Sequence, residues 1–355
     1  MTMWPTPMYS RKQVNRAGEA LRSSGPDLGD YEQALEVLSN WRSCHGYPVN
    51  TFQATLRDRI KPIDKHAIVA QRLKRAPSII AKLKRFERMQ LARMQDIGGL
   101  RAVVGSVRAL RRIRERYQEG TLSHELANVF DYTAQPKPSG YRSVHLIYRY
   151  RNKLAPSYDG LFVELQLRTR QQHAWATAVE TMGTFLNQAL KSSEGPEEWL
   201  QFFALAGCAF SFEEGGQAVP GYEKMSVRAV CRQLREDARR LRVDERLRAF
   251  AVAANAISGS SQGAYHLILL DASAKTVTIR SFPKARLEEA NESYTRLEAR
   301  LDPESTQQAV LVSTSSVKSL RRAYPNYFLD TADFLKILDR ITRAASRRPA
   351  GIRTD

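Results

Sequence analysis

Between residues 100 and 189 the spacing of apolar side chains switches repeatedly between two periods, and this constrains the fold more than any other feature of the chain. Residues 100–104, 143–150 and 161–169 carry the period of two expected of strands, whereas 107–118 and 171–189 carry the 3.6-residue period of helices. Strands that alternate with helices bury their apolar faces as a sheet with helices packed on it.

The composition permits such a core. With 355 residues, 43% hydrophobic and 26% charged, the chain has apolar surface for one or two domains and is not a disordered basic tail. Its three cysteines, Cys44, Cys208 and Cys231, are odd in number and too widely spaced for a zinc knuckle, which suits a reducing compartment. The apolar runs near 202–210 and 249–254 are too short for a bilayer and the N-terminus lacks a signal-peptide stretch, so a cytoplasmic protein without a membrane partner is expected. The net charge of +18 is uneven: 18 Lys/Arg against 5 Asp/Glu between Arg57 and Arg116 place +13 of it there. Such a run is either a solvated helix face or a surface for several phosphates, and the spacing of particular residues favours the second.

Composition breaks at 192–196 and 258–263 divide the chain. Residues 1–195 form a mixed α/β core with a helical lead-in, 196–262 a helical connector, 263–344 a small α/β unit, and 345–355 a disordered tail. The small unit is expected to hold strands at 265–270, 276–281 and 309–313, with helices at 285–300, 317–323 and 332–342.

Four clusters carry chemistry. In the first, Pro77 suits the first turn of a helix, so Ser78 lies at a helix N-terminus with Lys82 and Arg85 along one face and Arg72 and Lys74 just before it. This is a polyphosphate cradle or an ordinary basic amphipathic helix. The second, Asp96-Ile97-Gly98-Gly99-Leu100-Arg101, sets a carboxylate and two glycines before a strand; Asp96 caps a turn or, beside a cationic cradle, holds Mg²⁺. In the third, the alternation of 161–169 puts Glu164, Gln166 and Arg168 on one face, either facing water or flooring a cleft with Glu164 as metal ligand or base. The fourth is a Pro/Gly-punctuated loop with Lys137, Tyr141, Arg142 and His145, where Tyr141 can stack on a base and the others sit near phosphates.

Taken in order, Arg72-x-Lys74-x-x-x-Ser78, Asp96-Ile97-Gly98-Gly99-Leu100-Arg101, Pro136-Lys137-x-x-Gly140-Tyr141-Arg142-Ser143-x-His145 and Glu164-x-Gln166-x-Arg168-Thr169 resemble the RelA/SpoT-type synthetase domain. The resemblance spans roughly 31–190 and implies an α+β fold, a mixed five-stranded nucleotidyltransferase-like sheet flanked by helices. It implies transfer of the β,γ-pyrophosphoryl group of ATP to a ribose 3′-hydroxyl with Mg²⁺. By motif, Arg72, Lys74, Ser78, Lys82 and Arg85 would hold the ATP phosphates and Arg101 the adenine. Asp96 and Glu164 would bind the metal, with Glu164 as base, and Tyr141 would stack on the acceptor base while Lys137, Arg142, His145 and Gln166 orient the acceptor. No His is followed by Asp, so the hydrolase motif of long family members is not expected.

The C-terminal half resembles that of CapRel-type fused toxin–antitoxins, on the order of parts and on Tyr324-Pro325-Asn326-Tyr327, which matches a Tyr-x-x-Tyr neutralising motif. That resemblance implies a small pseudo-zinc-finger antitoxin domain whose Tyr324 and Tyr327 exclude ATP. It implies a toxin that pyrophosphorylates the CCA 3′ end of tRNA, blocks aminoacylation, and is released by a phage major capsid protein or another phage trigger. The alternative is a small alarmone synthetase making guanosine tetra- or pentaphosphate.

Overall fold

Five strands form the central sheet: β1 (Ile68–Leu73), β2 (Gly98–Val104), β3 (Glu125–Asp131), β4 (Val144–Arg149) and β5 (Phe162–Thr169), in the order β1-β2-β5-β4-β3. Only β2 and β5 run parallel; the other neighbours are antiparallel. This computed structural model describes residues 4–23, 27–119, 122–186, 190, 194–244, 247, 265–271, 276–301, 307–313 and 332–344. The expected helix 317–323, the tail, Tyr324 and Tyr327 lie outside the described residues.

The alternation in β5 buries Val163, Leu165 and Leu167 completely on one face of the sheet. Phe52 and Leu56 from α3 (Gly46–Ile60) and Leu110 and Ile113 from α5 (Val107–Gln118) join the same core. The Ser106 hydroxyl caps α5 by accepting from the Ala109 N–H, and the arginines between its apolar positions point outward. Lead-in helices α1 (Arg11–Arg22) and α2 (Leu28–Cys44) extend this core, and α4 (Ala76–Arg85) follows β1.

A second core begins with α6 (Arg170–Leu186), which continues directly from β5 and packs against α7 (Glu197–Glu213), which in turn packs on α8 (Val227–Arg240). Beyond it, β6 (Tyr265–Asp271), β7 (Thr276–Phe282) and β8 (Gln307–Ser313) form an antiparallel sheet of order β7-β6-β8. Helix α9 (Leu287–Arg300) backs that sheet through Ala290 and Tyr294. The last helix, α10 (Ala332–Ala344), does not join this small sheet. Its Phe334 inserts among Phe202, Phe203 and Phe210, with ring centroids 5.4–6.4 Å apart, and Arg340 pairs with Glu213 at 2.9 Å. A phenylalanine cluster on α7 is the larger apolar surface available to it. Among the described residues, no helix is long and apolar enough to cross a membrane.

Candidate active site

The strand register assembles the motifs. Arg101, Gln166 and His145 lie side by side across β2, β5 and β4, and the next row on that face holds Arg72, Gly99, Glu164 and Ile147. Side chains two apart on a strand share a face, so cations from the first two strands and the acid and amide of β5 converge. They line a cleft of about 460 Å³ together with Lys74, Lys82, Asp96, Lys137 and Tyr141.

The first half of the cleft is cationic. Lys74 Nζ and Lys82 Nζ each hold one oxygen of Asp96, at 3.1 and 2.9 Å. Burial alone would raise the Asp96 pKa, but the two ammonium groups outweigh it and bring it down to about 2. Burial lowers the Lys74 pKa, and Asp96 opposes that shift. Arg101 is buried and lines the cleft. Ser78 and Arg85 lie along α4 and do not line it; Arg85 instead pairs with Glu194 at 2.6 Å.

The glycines serve different ends. A side chain at Gly98 would meet Val49 Cγ2 at 2.8 Å and His45 Cβ at 3.0 Å, so this glycine serves the close approach of β2 to α3 rather than a ligand. Gly99, between Arg72 and Glu164 in register, is the one that faces the cleft.

The second half is a closed ring of hydrogen bonds. Glu164 Oε1 meets His145 Nδ1 at 2.8 Å, and Glu164 Oε2 accepts from Gln166 Nε2 at 3.0 Å. His145 Nε2 lies 2.8 Å from the Tyr141 hydroxyl. One terminal nitrogen of Arg168 donates to that hydroxyl at 3.1 Å and to Gln166 Oε1 at 3.2 Å, closing the ring. Burial would raise the Glu164 pKa, but the hydrogen bond and charge of His145 hold it below the ordinary value. Burial would lower His145, yet the Tyr141 phenol and the Glu164 carboxylate raise it to about 9. His145 is therefore imidazolium at neutral pH and donates from both nitrogens.

A folded-state pKa above the unfolded one contributes stability that is full below about 6.5 and disappears as pH rises through about 9. An NMR titration of the His145 ring should give a midpoint near 9, with unfolding free energy falling over the same interval. A midpoint near 6.5 would show that the pair with Glu164 does not form.

Arg142 corrects the expectation placed on it. Its side chain is 3% exposed, points away from the cleft and pairs with Glu214 just past α7. Gly140, at φ +85, lies against α7, where a side chain on Gly207 would meet the Gly140 oxygen at 2.5 Å. The loop bearing Tyr141 is thus anchored on α7, and Arg142 holds the anchor rather than the acceptor. Tyr141 itself is 8% exposed and edge-on to Tyr132, His145 and Trp175.

Three residues without an expected role adjoin the site. Phe130 and Tyr132 line the cleft. Arg42 on α2 donates from Nε to the Lys74 carbonyl at 2.8 Å and stacks 4.7 Å over Tyr294 of α9. It also faces Glu298 of α9 at 3.5 Å, and the other Glu298 oxygen accepts from the Ala76 N–H at 3.0 Å. A carboxylate from the small unit thereby occupies the N-terminus of α4. The only local signal for the first two is a pair of aromatics flanking Asp131, without a period-two run; nothing local marks Arg42.

Asp96 and Glu164 line a cleft whose other groups suit phosphate, the two-carboxylate setting in which Mg²⁺ is held together with phosphate oxygens; among the described residues no third His, Cys, Asp or Glu completes a metal site of protein ligands alone.

Part of this sequence is shared with known proteins. The family described as "Region found in RelA / SpoT proteins" matches residues 71–185. The chain is similar to GTP pyrophosphokinase YjbM of Bacillus subtilis, 32% identical over 156 residues, 42% of this chain and 68% of that protein. An uncharacterised protein of Mycobacterium tuberculosis is 28% identical over 203 residues, covering 54% of this chain and 65% of that protein. Among solved structures, small alarmone synthetase 1 from Bacillus subtilis bound to its product pppGpp is 26% identical with a TM-score of 0.42, covering 48% of this chain and 89% of that one.

Proposed function

Because the chain belongs to the RelA/SpoT family of pyrophosphokinases, we propose that its cleft transfers the β,γ-pyrophosphoryl group of ATP to the ribose 3′-hydroxyl at the CCA end of tRNA. The observation that carries this is one cleft with two chemistries: cations around Asp96 on one side, aromatic rings with Lys137 on the other, and Glu164 on the strand between. Arg72, Lys74 and Lys82 orient the triphosphate, with Ser78 and Arg85 further along α4, and Arg101 lies against the adenine. The acceptor oxygen attacks the β-phosphorus, the bond from that phosphorus to the α,β-bridging oxygen breaks, AMP leaves, and the hydroxyl proton passes to Glu164. Asp96 and Glu164 would hold Mg²⁺, which supplies neutralisation of phosphate charge. Lys137, His145 and Gln166 orient the acceptor and Tyr141 meets its base. Catalysis of this kind is mostly positioning and electrostatics.

Esterifying that hydroxyl removes the point at which an amino acid joins tRNA, so the product arrests translation. The small C-terminal unit restrains the enzyme, as the Glu298 contact on α4 supports, and a phage protein, the major capsid protein or another, releases it. Tyr324 and Tyr327 take part through the motif they match.

A second acceptor, a free guanine nucleotide, is favoured by the GTP pyrophosphokinase among the relatives. Incubation with ATP labelled on the γ-phosphate separates the two, run on the Glu298→Gln variant so that the hold of the small unit on α4 is released. Label is expected on tRNA, with an affinity that falls steeply with salt, by about 0.7 in log K per phosphate contact for each log unit of salt. Label on GDP alone would establish the second acceptor, and label on neither would refute the transfer.

A further inference from the structure

On the cleft face, the row Arg101, Gln166, His145 continues one strand further, to Phe130 on the edge strand β3. Its chain neighbour Val129 packs on the core, but Phe130 faces outward and is 40% exposed. An apolar ring left open at a sheet edge invites unwanted pairing, and this one is part of the cleft lining itself, which suits a ligand. The Tyr132 ring lies parallel to it, at 5° and 6.1 Å between centroids, and Lys137 holds its ammonium 4.3 Å from the Tyr132 centroid. Parallel rings with a cation alongside make a platform for a base and its phosphate.

This platform is distinct from Tyr141. The Tyr141 hydroxyl is engaged by His145 and Arg168 and its ring is nearly buried. Outward from Glu164 the groups run His145 at 2.8 Å, then Tyr132 with its ring 5.4 Å from that of His145, then Phe130. A nucleotide whose 3′-hydroxyl meets Glu164 and whose base meets Tyr141 leaves the outer rings for its neighbour. We infer that Phe130 and Tyr132 form a second base subsite, which makes a single-stranded 3′ end of two or more nucleotides the preferred acceptor over a mononucleotide. The inference rests on the proposal that Glu164 receives the acceptor's hydroxyl. The +13 concentrated in residues 57–116 suits a polynucleotide further.

The test uses the full chain, its donor site saturated with a non-hydrolysable ATP analogue, and two 5′-fluorescein probes, adenosine 5′-monophosphate and the trinucleotide CCA. Base stacking on an aromatic ring predicts that the wild type binds the trinucleotide about tenfold or more tightly than the mononucleotide. Phe130→Ala should bring that ratio close to one, and Phe130→Trp should restore it, which guards against a misfolded β3. Equal weakening of both probes by Phe130→Ala would make Phe130 the platform of a single base and overturn the second subsite. So would a ratio that Phe130→Ala leaves unchanged, or a wild-type ratio near one. Absence of transfer to tRNA and to GDP, with the ratio intact, would instead overturn the proposed reaction and leave the subsite standing.

Discussion

Glu164→Gln is expected to slow pyrophosphate transfer by about 10²- to 10⁴-fold, the range that removal of a positioned general base produces, while ATP binding persists. The ring around Glu164 explains the choice of variant. A glutamine oxygen can still accept from His145 Nδ1 in place of Glu164 Oε1, while its amide nitrogen would face Gln166 Nε2, so the substitution removes charge, basicity and one bond of the ring at nearly constant volume. Asp96→Asn works on the other side of the cleft. It frees Lys74 and Lys82 from the carboxylate they share, so metal-free ATP should bind as well or better while transfer falls. A merely structural role for Asp96 predicts the reverse, loss of fold and of binding together. Transfer within about threefold of wild type in both variants, against losses of 10² or more for a true base, would remove the two carboxylates from the mechanism.

The strands that mattered most for fold class were legible because both faces of the sheet are specified. Residues 163–168 alternate strictly, and β5 spans Phe162–Thr169; helix 107–118 matches α5 end to end. The edge strands β1 and β3 were not legible from periodicity. Each pairs on one side only and has partly buried positions where the central strands have fully buried ones, so the period-two signal is diluted. Missing β3 meant missing Phe130, whose position in the active row is visible only in the register with His145. Residues that line the cleft were legible where motif and strand face coincide, as for Glu164 and Gln166. Arg142 failed for a tertiary reason: an arginine in a loop next to a Tyr and a His looks exposed, and only α7, distant in sequence, supplies the Glu214 that buries it. What Gly98 makes room for was not legible either, because a glycine at the start of a strand reads the same whether a ligand or a helix approaches it.

Glu298→Gln is expected to raise transfer by about tenfold, and the sign of the change is what matters. The N-terminus of α4 attracts anions through its free amides and dipole, and Glu298 now takes the Ala76 amide there while facing Arg42. Glutamine keeps an acceptor for the Ala76 amide but removes the charge and turns an amide nitrogen toward Arg42, and the difference between a charged and a neutral hydrogen bond, about 1–1.5 kcal/mol, is about tenfold in the ratio of closed to open forms. On the proposed reading the small unit is a tethered inhibitor, and an effective concentration of about millimolar would favour its closed form until a trigger prefers the open one. If Glu298 instead only props the Lys74–Ala76 backbone in its working shape, the same substitution should lower transfer. Deleting the chain from residue 263 onward cannot decide between these, because it also removes α10 and exposes Phe202, Phe203 and Phe210. The point variant leaves that core intact. Combined with Tyr324→Ala, it also tells whether two contacts share the closure: gains that multiply mark independent holds, and a gain from Glu298→Gln that vanishes beside Tyr324→Ala marks a single latch.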